Sequence, residues 1–236
     1  MENDSKELFQ IGVLYTWGFA KYGQIGSFDY QYVAEPLEIR PDSNKEEEKN
    51  SQEEIESIHC GEFHSGYITK EKNVYMFGKN TFGQLGLSNN FSICKPQKIS
   101  LDKKIIKLNL GGEHTLALTE SNELYSWGLN VYGQLGLGDF NERTYPHKVF
   151  AFDNLENLNK NSNDFIPEII VDIAAGAQHS LILTESNDLY SCGYGKNYAL
   201  GDFSHNENSY SLEDRNIFTK IENCNFENIK NKIQWY

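Results

Sequence analysis

A short glycine-anchored phrase recurs four times along this chain, and the constancy of its internal spacing limits the fold more than any other feature. The copies are Trp17-Gly18 with Tyr22-Gly23-Gln24-Ile25-Gly26, Phe77-Gly78 with Phe82-Gly83-Gln84-Leu85-Gly86, Trp127-Gly128 with Tyr132-Gly133-Gln134-Leu135-Gly136, and Cys192-Gly193 with Tyr198-Ala199-Leu200-Gly201. In every copy the first and last glycines lie eight positions apart. A second phrase precedes three of the copies: Gly61-x-x-His64-Ser65, Gly111-x-x-His114-Thr115 and Gly176-x-x-His179-Ser180. Each of these histidines falls 14 residues before the glycine that follows the aromatic or cysteine position. Self-similarity at a period of about 20 to 50 residues marks solenoids and propellers.

One unit is clearest across residues 105–150. Ile105, Ile106, Leu108 and Leu110 form a short apolar run, and Gly111-Gly112 supplies backbone freedom for a sharp turn. Thr115-Leu116-Ala117-Leu118 is a second run, Ser121-Asn122-Glu123 gives turn chemistry, and Leu124-Tyr125-Ser126-Trp127 is a third strand ended by Gly128. Leu135 is the apolar anchor of the glycine-rich loop that follows. Tyr145-Pro146-His147-Lys148-Val149 reads as an outer strand, where a proline is tolerated. Four short antiparallel strands, none stable alone, describe a propeller blade, so the expected fold is all-β. The units fall around 12–40, 55–101, 105–150 and 166–236 within a single domain spanning 1–236.

These phrases resemble the RCC1 repeat, the blade unit of the regulator-of-chromosome-condensation family. The resemblance rests on G-x-x-H-(S/T), the aromatic-glycine pair and (Y/F)-G-Q-(L/I)-G at fixed offsets, and covers nearly the whole chain outside two insertions. Leu137-Gly138-Asp139 through Arg143 to Pro146 is similar to the family's loop into the outer strand. Trp17, Gly18, Gly26, Phe77, Gly78, Gly86, Trp127, Gly128, Gly136, Gly193 and Gly201 are expected to be structural marks of the repeat. The fourth copy departs from it. Cys192 replaces the aromatic, Tyr198 and Ala199 replace Gly-Gln, and no proline follows Gly201. These departures point to a distorted blade or to a feature specific to this protein.

The resemblance implies a ring of seven blades, which at this repeat length needs on the order of 350 residues. The chain carries about 3.5 to 4 blades, beginning with the second half of one and ending at Ile233-Gln234-Trp235-Tyr236, where another strand should start. An open arc would expose unpaired edges and apolar faces. The expectation is a piece of a longer protein, with closure by another chain or a four-bladed ring as alternatives. Met1 with its polar leader reads as a natural start, and Tyr236 does not read as a natural stop.

Copy-to-copy spacings of 60, 50 and 65 residues localise two insertions. Residues 41–54 are acidic and residues 153–164 are Asn-rich, and both read as surface loops. In this family an inserted hairpin can serve as a wedge against a GTPase, but neither insertion shows strand alternation.

Charge and cysteine usage exclude some functions. A net charge of −13 with three arginines (Arg40, Arg143, Arg215) opposes nucleic-acid binding, which draws its affinity from cations on phosphates. DNA or nucleosome binding is therefore not expected, whereas an acidic surface suits a basic protein partner. Four scattered cysteines (Cys60, Cys94, Cys192, Cys224), with no signal core and no apolar run near 20 residues, predict an intracellular, cytoplasmic or nuclear protein.

The histidines His64, His114 and His179 are expected to start equivalent strands, each bonded to nearby backbone. Adjacent His-Ser pairs point to opposite faces of a strand, which is poor geometry for a nucleophile and its base. Gly193-Tyr194-Gly195-Lys196 lacks the spacing of a phosphate loop, and Cys60 with His64 is a lone half-site for zinc. No catalytic residue, metal or cofactor is expected. The resemblance implies instead that residues of the G-x-x-H turns line a face that meets a small GTPase of the Ran type. The matching positions are Glu62, His64, Glu113, His114, Gln178 and His179. The expected function is a non-catalytic interaction or regulatory module, with guanine-nucleotide exchange as the alternative.

Overall fold

The structure, a computed structural model, describes residues 13–27, 32–39, 53–150, 168–201 and 213–221. The acidic insertion (apart from residues 53–54), the Asn-rich insertion, Cys224 and the final strand expected at residues 233–236 lie outside the described residues. Among the described residues, fourteen strands are arranged as one two-stranded and three four-stranded sheets, all antiparallel. The first comprises β1 (Leu14–Phe19) and β2 (Tyr32–Ile39). The second runs β3 (Ile55–Cys60), β4 (His64–Thr69), β5 (Val74–Gly78) and β6 (Ile93–Lys98). The third runs β7 (Ile105–Leu110), β8 (His114–Thr119), β9 (Leu124–Gly128) and β10 (Arg143–Lys148). The fourth runs β11 (Ile170–Ala175), β12 (His179–Thr184), β13 (Leu189–Gly193) and β14 (Arg215–Lys220). These are the expected meander blades.

The aromatic-glycine pair marks the same irregularity in each sheet. Between Gly78 and Met76, one residue of β5 faces three of β6, and the same slip recurs at Trp127 and Cys192 and, in the first sheet, at Trp17. The bulged outer strand holds Pro36, Pro96 and Pro146 at this point, because a proline costs no ladder hydrogen bond there. Gly78, Gly128 and Gly193 take φ of 111°, 106° and 109°, a region L side chains rarely adopt. A Cβ on Gly128 would also stand 2.5 Å from the Glu113 carbonyl oxygen. The glycine is required twice over.

The core sits between blades rather than inside them. One cluster joins Ile68, Val74, Met76, Leu85 and Ile99 of the second sheet to Ile105, Leu108, Tyr125 and Trp127 of the third. The next joins Leu116, Leu118, Leu124 and Val149 of the third to Ile170, Ile173, Ile182, Cys192 and Phe218 of the fourth. Leu85, Leu135 and Leu200, the anchors of the glycine loops, are fully buried in this arrangement. Trp127 seals one interface: its indole N–H donates to the Gln84 carbonyl at 2.9 Å, and its ring lies where a Cβ on Gly86 would be. Among the described residues no blade lies in front of β1, and Trp17, the equivalent residue, is 63% exposed.

The fourth blade is not distorted as a sheet. Cys192 is too small to fill the aromatic site, but Phe218 occupies the bulge position held by proline in the other sheets and is fully buried beside it. The Phe218 ring lies against Gly136 as the Trp127 ring lies against Gly86. Cys192 Sγ keeps the polar contact, 3.5 Å from the Gln134 carbonyl oxygen. Only the glycine loop changes. Without a glycine at 198 the left-handed residue moves to Asn197 (φ 58°), and the loop tightens into a 3-10 turn, Lys196–Tyr198.

Candidate partner-binding rim

The G-x-x-H turns connect the first and second strands of each blade and lie at one end of the sheets. Gly61 N–H donates to the His64 carbonyl at 2.9 Å, and the Gly111–His114 and Gly176–His179 turns close identically. The next amide reaches across the blade boundary. Glu62 N–H donates to Gly111 O at 3.3 Å and Gly112 N–H to Gly176 O at 3.2 Å. Successive turns are thereby stitched side by side. A Cβ on Gly61 would come within 2.6 Å of Gly111 O, so the motif begins with glycine because the next blade's backbone is in contact there. The loops after the third strands lie over the same rim: Lys79 N–H donates to Phe63 O, Leu129 N–H to Glu113 O and Tyr194 N–H to Gln178 O, at 2.8 to 2.9 Å.

The histidines start β4, β8 and β12 as expected, but their side chains do not bond nearby backbone in the way anticipated. His64 Nε2 meets Thr115 Oγ1 of the next blade at 3.1 Å, and His114 Nε2 meets Ser180 Oγ at 2.9 Å. The hydroxyls of Thr115 and Ser180 in turn donate to the Gln84 and Gln134 carbonyls at 2.8 and 2.7 Å. A hydroxyl has one proton, so each histidine must donate from Nε2 and is the neutral Nε2–H tautomer. Burial, reinforced for His64 by His114 and Lys79 and for His114 by His179, pushes both pKa values down to about 3. The histidine–hydroxyl pairs are buried struts between blades, with the hydroxyl proton committed to a carbonyl. His179 is half-buried.

Of the six positions singled out in the sequence, the structure therefore brings all six onto one rim but hides His64 and His114. Glu62 is exposed, while Glu113 and Gln178 are partly exposed. The Glu113 carboxylate is paired with Lys79 of the neighbouring blade. The rim also carries aromatic rings that the sequence reading treated only as repeat marks or passed over. Tyr22 packs edge-on against Phe63 at 5.2 Å, Phe19 lies 6.5 Å from Phe63, and Tyr132 meets Tyr194 at 5.0 Å. Lys79 Nζ stands over Tyr22, Phe63 and Phe82 at 5.4, 5.2 and 5.6 Å. Aligning the second x of the three turns (Phe63, Glu113, Gln178) would have flagged this variable, outward slot. Among the described residues no cluster of three His, Cys, Asp or Glu side chains could hold a metal ion.

Fold and rim together define a repeat-built β-propeller protein whose variable residues are displayed on one end of its blades. Residues 12–68, 72–118 and 121–183 match the regulator of chromosome condensation (RCC1) repeat, and the chain belongs to that family. It is 32% identical to human RCC2 over 205 residues, which covers 80% of this chain and 37% of RCC2. The crystal structure of Kap60 bound to yeast RCC1 (Prp20) superposes with a TM-score of 0.68 at 25% identity, over 90% of this chain and 46% of that one. A structure of Prp20p from Saccharomyces cerevisiae, described with its binding properties to Gsp1p and histones, gives 0.64 at 23% identity over 90% and 47%. The chain thus spans less than half the length of each of these proteins. Among the described residues no helix is long and apolar enough to cross a membrane.

Proposed function

We propose that this chain is a non-catalytic protein-interaction or regulatory module that engages its partner through the rim of G-x-x-H turns. One observation carries the reading: the turns of three blades are bonded edge to edge by their own backbones, leaving Glu62, Glu113 and Gln178 as side chains of a fixed platform. Backbone bonds through Glu62 N–H and the Glu113 and Gln178 carbonyls hold the turns in place, so these side chains project from a framework that does not depend on them. The net charge of −13 favours a basic protein. The acidity argument applies to nucleic-acid phosphates and does not extend to histones, which are basic; grouping nucleosomes with DNA at the sequence level was too broad. Capture from lysate with mass spectrometry, comparing wild type with Glu62→Ala/Glu113→Ala/Gln178→Ala, tests the reading. A partner lost only in the variant supports it, and identical captured sets refute it.

A second reading is guanine-nucleotide exchange on a Ran-type small GTPase, favoured by the likeness to Prp20. Exchange requires only tighter binding of the nucleotide-free GTPase, not covalent chemistry. It fails if the chain, with its ring completed by further blades or another chain, does not accelerate nucleotide release from such a GTPase.

A further inference from the structure

We propose that Tyr22, Phe63, Phe82 and Glu113 form a recognition site for a lysine ammonium of the partner, held closed in the free chain by the chain's own Lys79. The inference rests on the interaction-module reading of the rim. Three rings, drawn from two blades and three separate loops, surround one ammonium at 5.2 to 5.6 Å from their centroids, and the Glu113 carboxylate of a third blade pairs with it. Ring faces are negative and attract cations within about 6 Å, most strongly where water is excluded. Here the lysine side chain keeps 15% of its exposure and the glutamate 23%. The site is both desolvated and reachable.

The repeat itself does not ask for this arrangement. At the position of Lys79, one after the strand-ending glycine, the other copies carry Phe19, Leu129 and Tyr194. At the position of Glu113 the other turns carry Phe63 and Gln178. At the rim between the third and fourth blades, Tyr132 packs directly against Tyr194. Lys79 is therefore an occupant rather than a structural necessity, and a flexible side chain on the rim can swing out. When it does, a second carboxylate is close by: a Cβ on Gly112, beside Glu113, would stand 3.2 Å from Glu62 Oε2. The Glu113 carboxylate and three rings then surround the place Lys79 leaves, with the Glu62 carboxylate on the same rim. That is the chemistry of an ammonium site, and its self-occupation lowers apparent affinity by the fraction of time it is filled.

The test uses the whole chain and a fluorescein-labelled octapeptide of alternating lysine and glycine, with a glutamate-glycine octapeptide as control, read by anisotropy. Lys79→Met keeps the aliphatic stem and removes the charge. It should bind the lysine peptide about tenfold more tightly than wild type, equivalent to about 1.4 kcal/mol. Adding Glu113→Gln, or Tyr22→Leu with Phe82→Leu, should return binding to the wild-type level or below. Lys79→Gln carries the same expectation should Lys79→Met not fold. The proposal is overturned if neither Lys79 variant binds more tightly than wild type, or if the gain survives loss of Glu113 and the rings. If the peptide binds no variant while the rim triple alanine still loses its captured partner, the ammonium site is wrong and the interaction reading stands.

Discussion

Exchanging the residue pair that distinguishes the fourth blade for the pair found in the third gives a double-mutant cycle with a signed expectation. Cys192 and Phe218 are both fully buried and share one interface cluster, at the positions of Trp127 and Pro146. Phe218→Pro, at a position that holds proline in the other sheets, empties a fully buried aromatic site and should cost about 3 to 5 kcal/mol, as truncation of a buried Phe does. Cys192→Trp drives an indole into space the Phe218 ring already fills, and overpacking of this kind costs about 1 to 3 kcal/mol or more. Combining Cys192→Trp with Phe218→Pro recreates the third blade: the introduced indole can lie on Gly136 and donate to the Gln134 carbonyl, as Trp127 does with Gly86 and Gln84. The double variant should then be more stable than the sum of its singles by at least about 2 kcal/mol, at the upper end of couplings between contacting residues. Urea denaturation read by intrinsic fluorescence measures this, with m-values checked for constancy. Additivity within about 0.5 kcal/mol would show that the two residues do not substitute for the aromatic plug.

Acidification should loosen the blade interfaces in a defined window. With His64 and His114 at about 3 in the fold and 6.5 unfolded, the unfolded chain binds more protons between those values, so stability rises with pH there and falls on acidification. At about pH 5 the loss is about 2 kcal/mol for each histidine, and His64→Gln/His114→Gln should flatten the urea midpoint between about pH 7.5 and 5; an unchanged slope would refute it. Gly128→Ala, which forces a side chain to φ 106° and to 2.5 Å from Glu113 O, should lower stability by at least about 2 kcal/mol in the same assay.

The blades were legible because their determinants are local. Glycines eight residues apart fix the loop, and an aromatic-glycine pair fixes the bulge, so each strand of residues 105–150 could be placed from sequence alone. What joins blades was not legible. His64 bonds Thr115, 51 residues on, and Lys79 pairs with Glu113, 34 residues on; Thr115 stands at the hydroxyl position of the G-x-x-H-(S/T) phrase, but nothing within a repeat says that it meets the histidine of the repeat before it. Of the two readings of the fourth copy, a distorted blade does not hold for its sheet, and the substitute was not legible for the same reason: Phe218, which replaces the missing aromatic, lies on a different strand, across the bulge. The six G-x-x-H positions fall on one rim, but His64 and His114, expected to bond nearby backbone, are instead held inside by hydroxyls of the next blade. Its aromatic side chains were counted as repeat signature and so not weighed as binding groups.

Site-specific photocrosslinking tests most directly whether the G-x-x-H rim is the binding surface. A photoreactive residue placed at Glu62 or at Gln178 sits on the rim, and one at Glu71 or Glu120 sits in the turns at the opposite end of the same blades. The rim positions should crosslink a common partner protein in cell extract, and the opposite positions should not. Crosslinks to that partner from Glu71 or Glu120, with none from Glu62 or Gln178, would contradict the account.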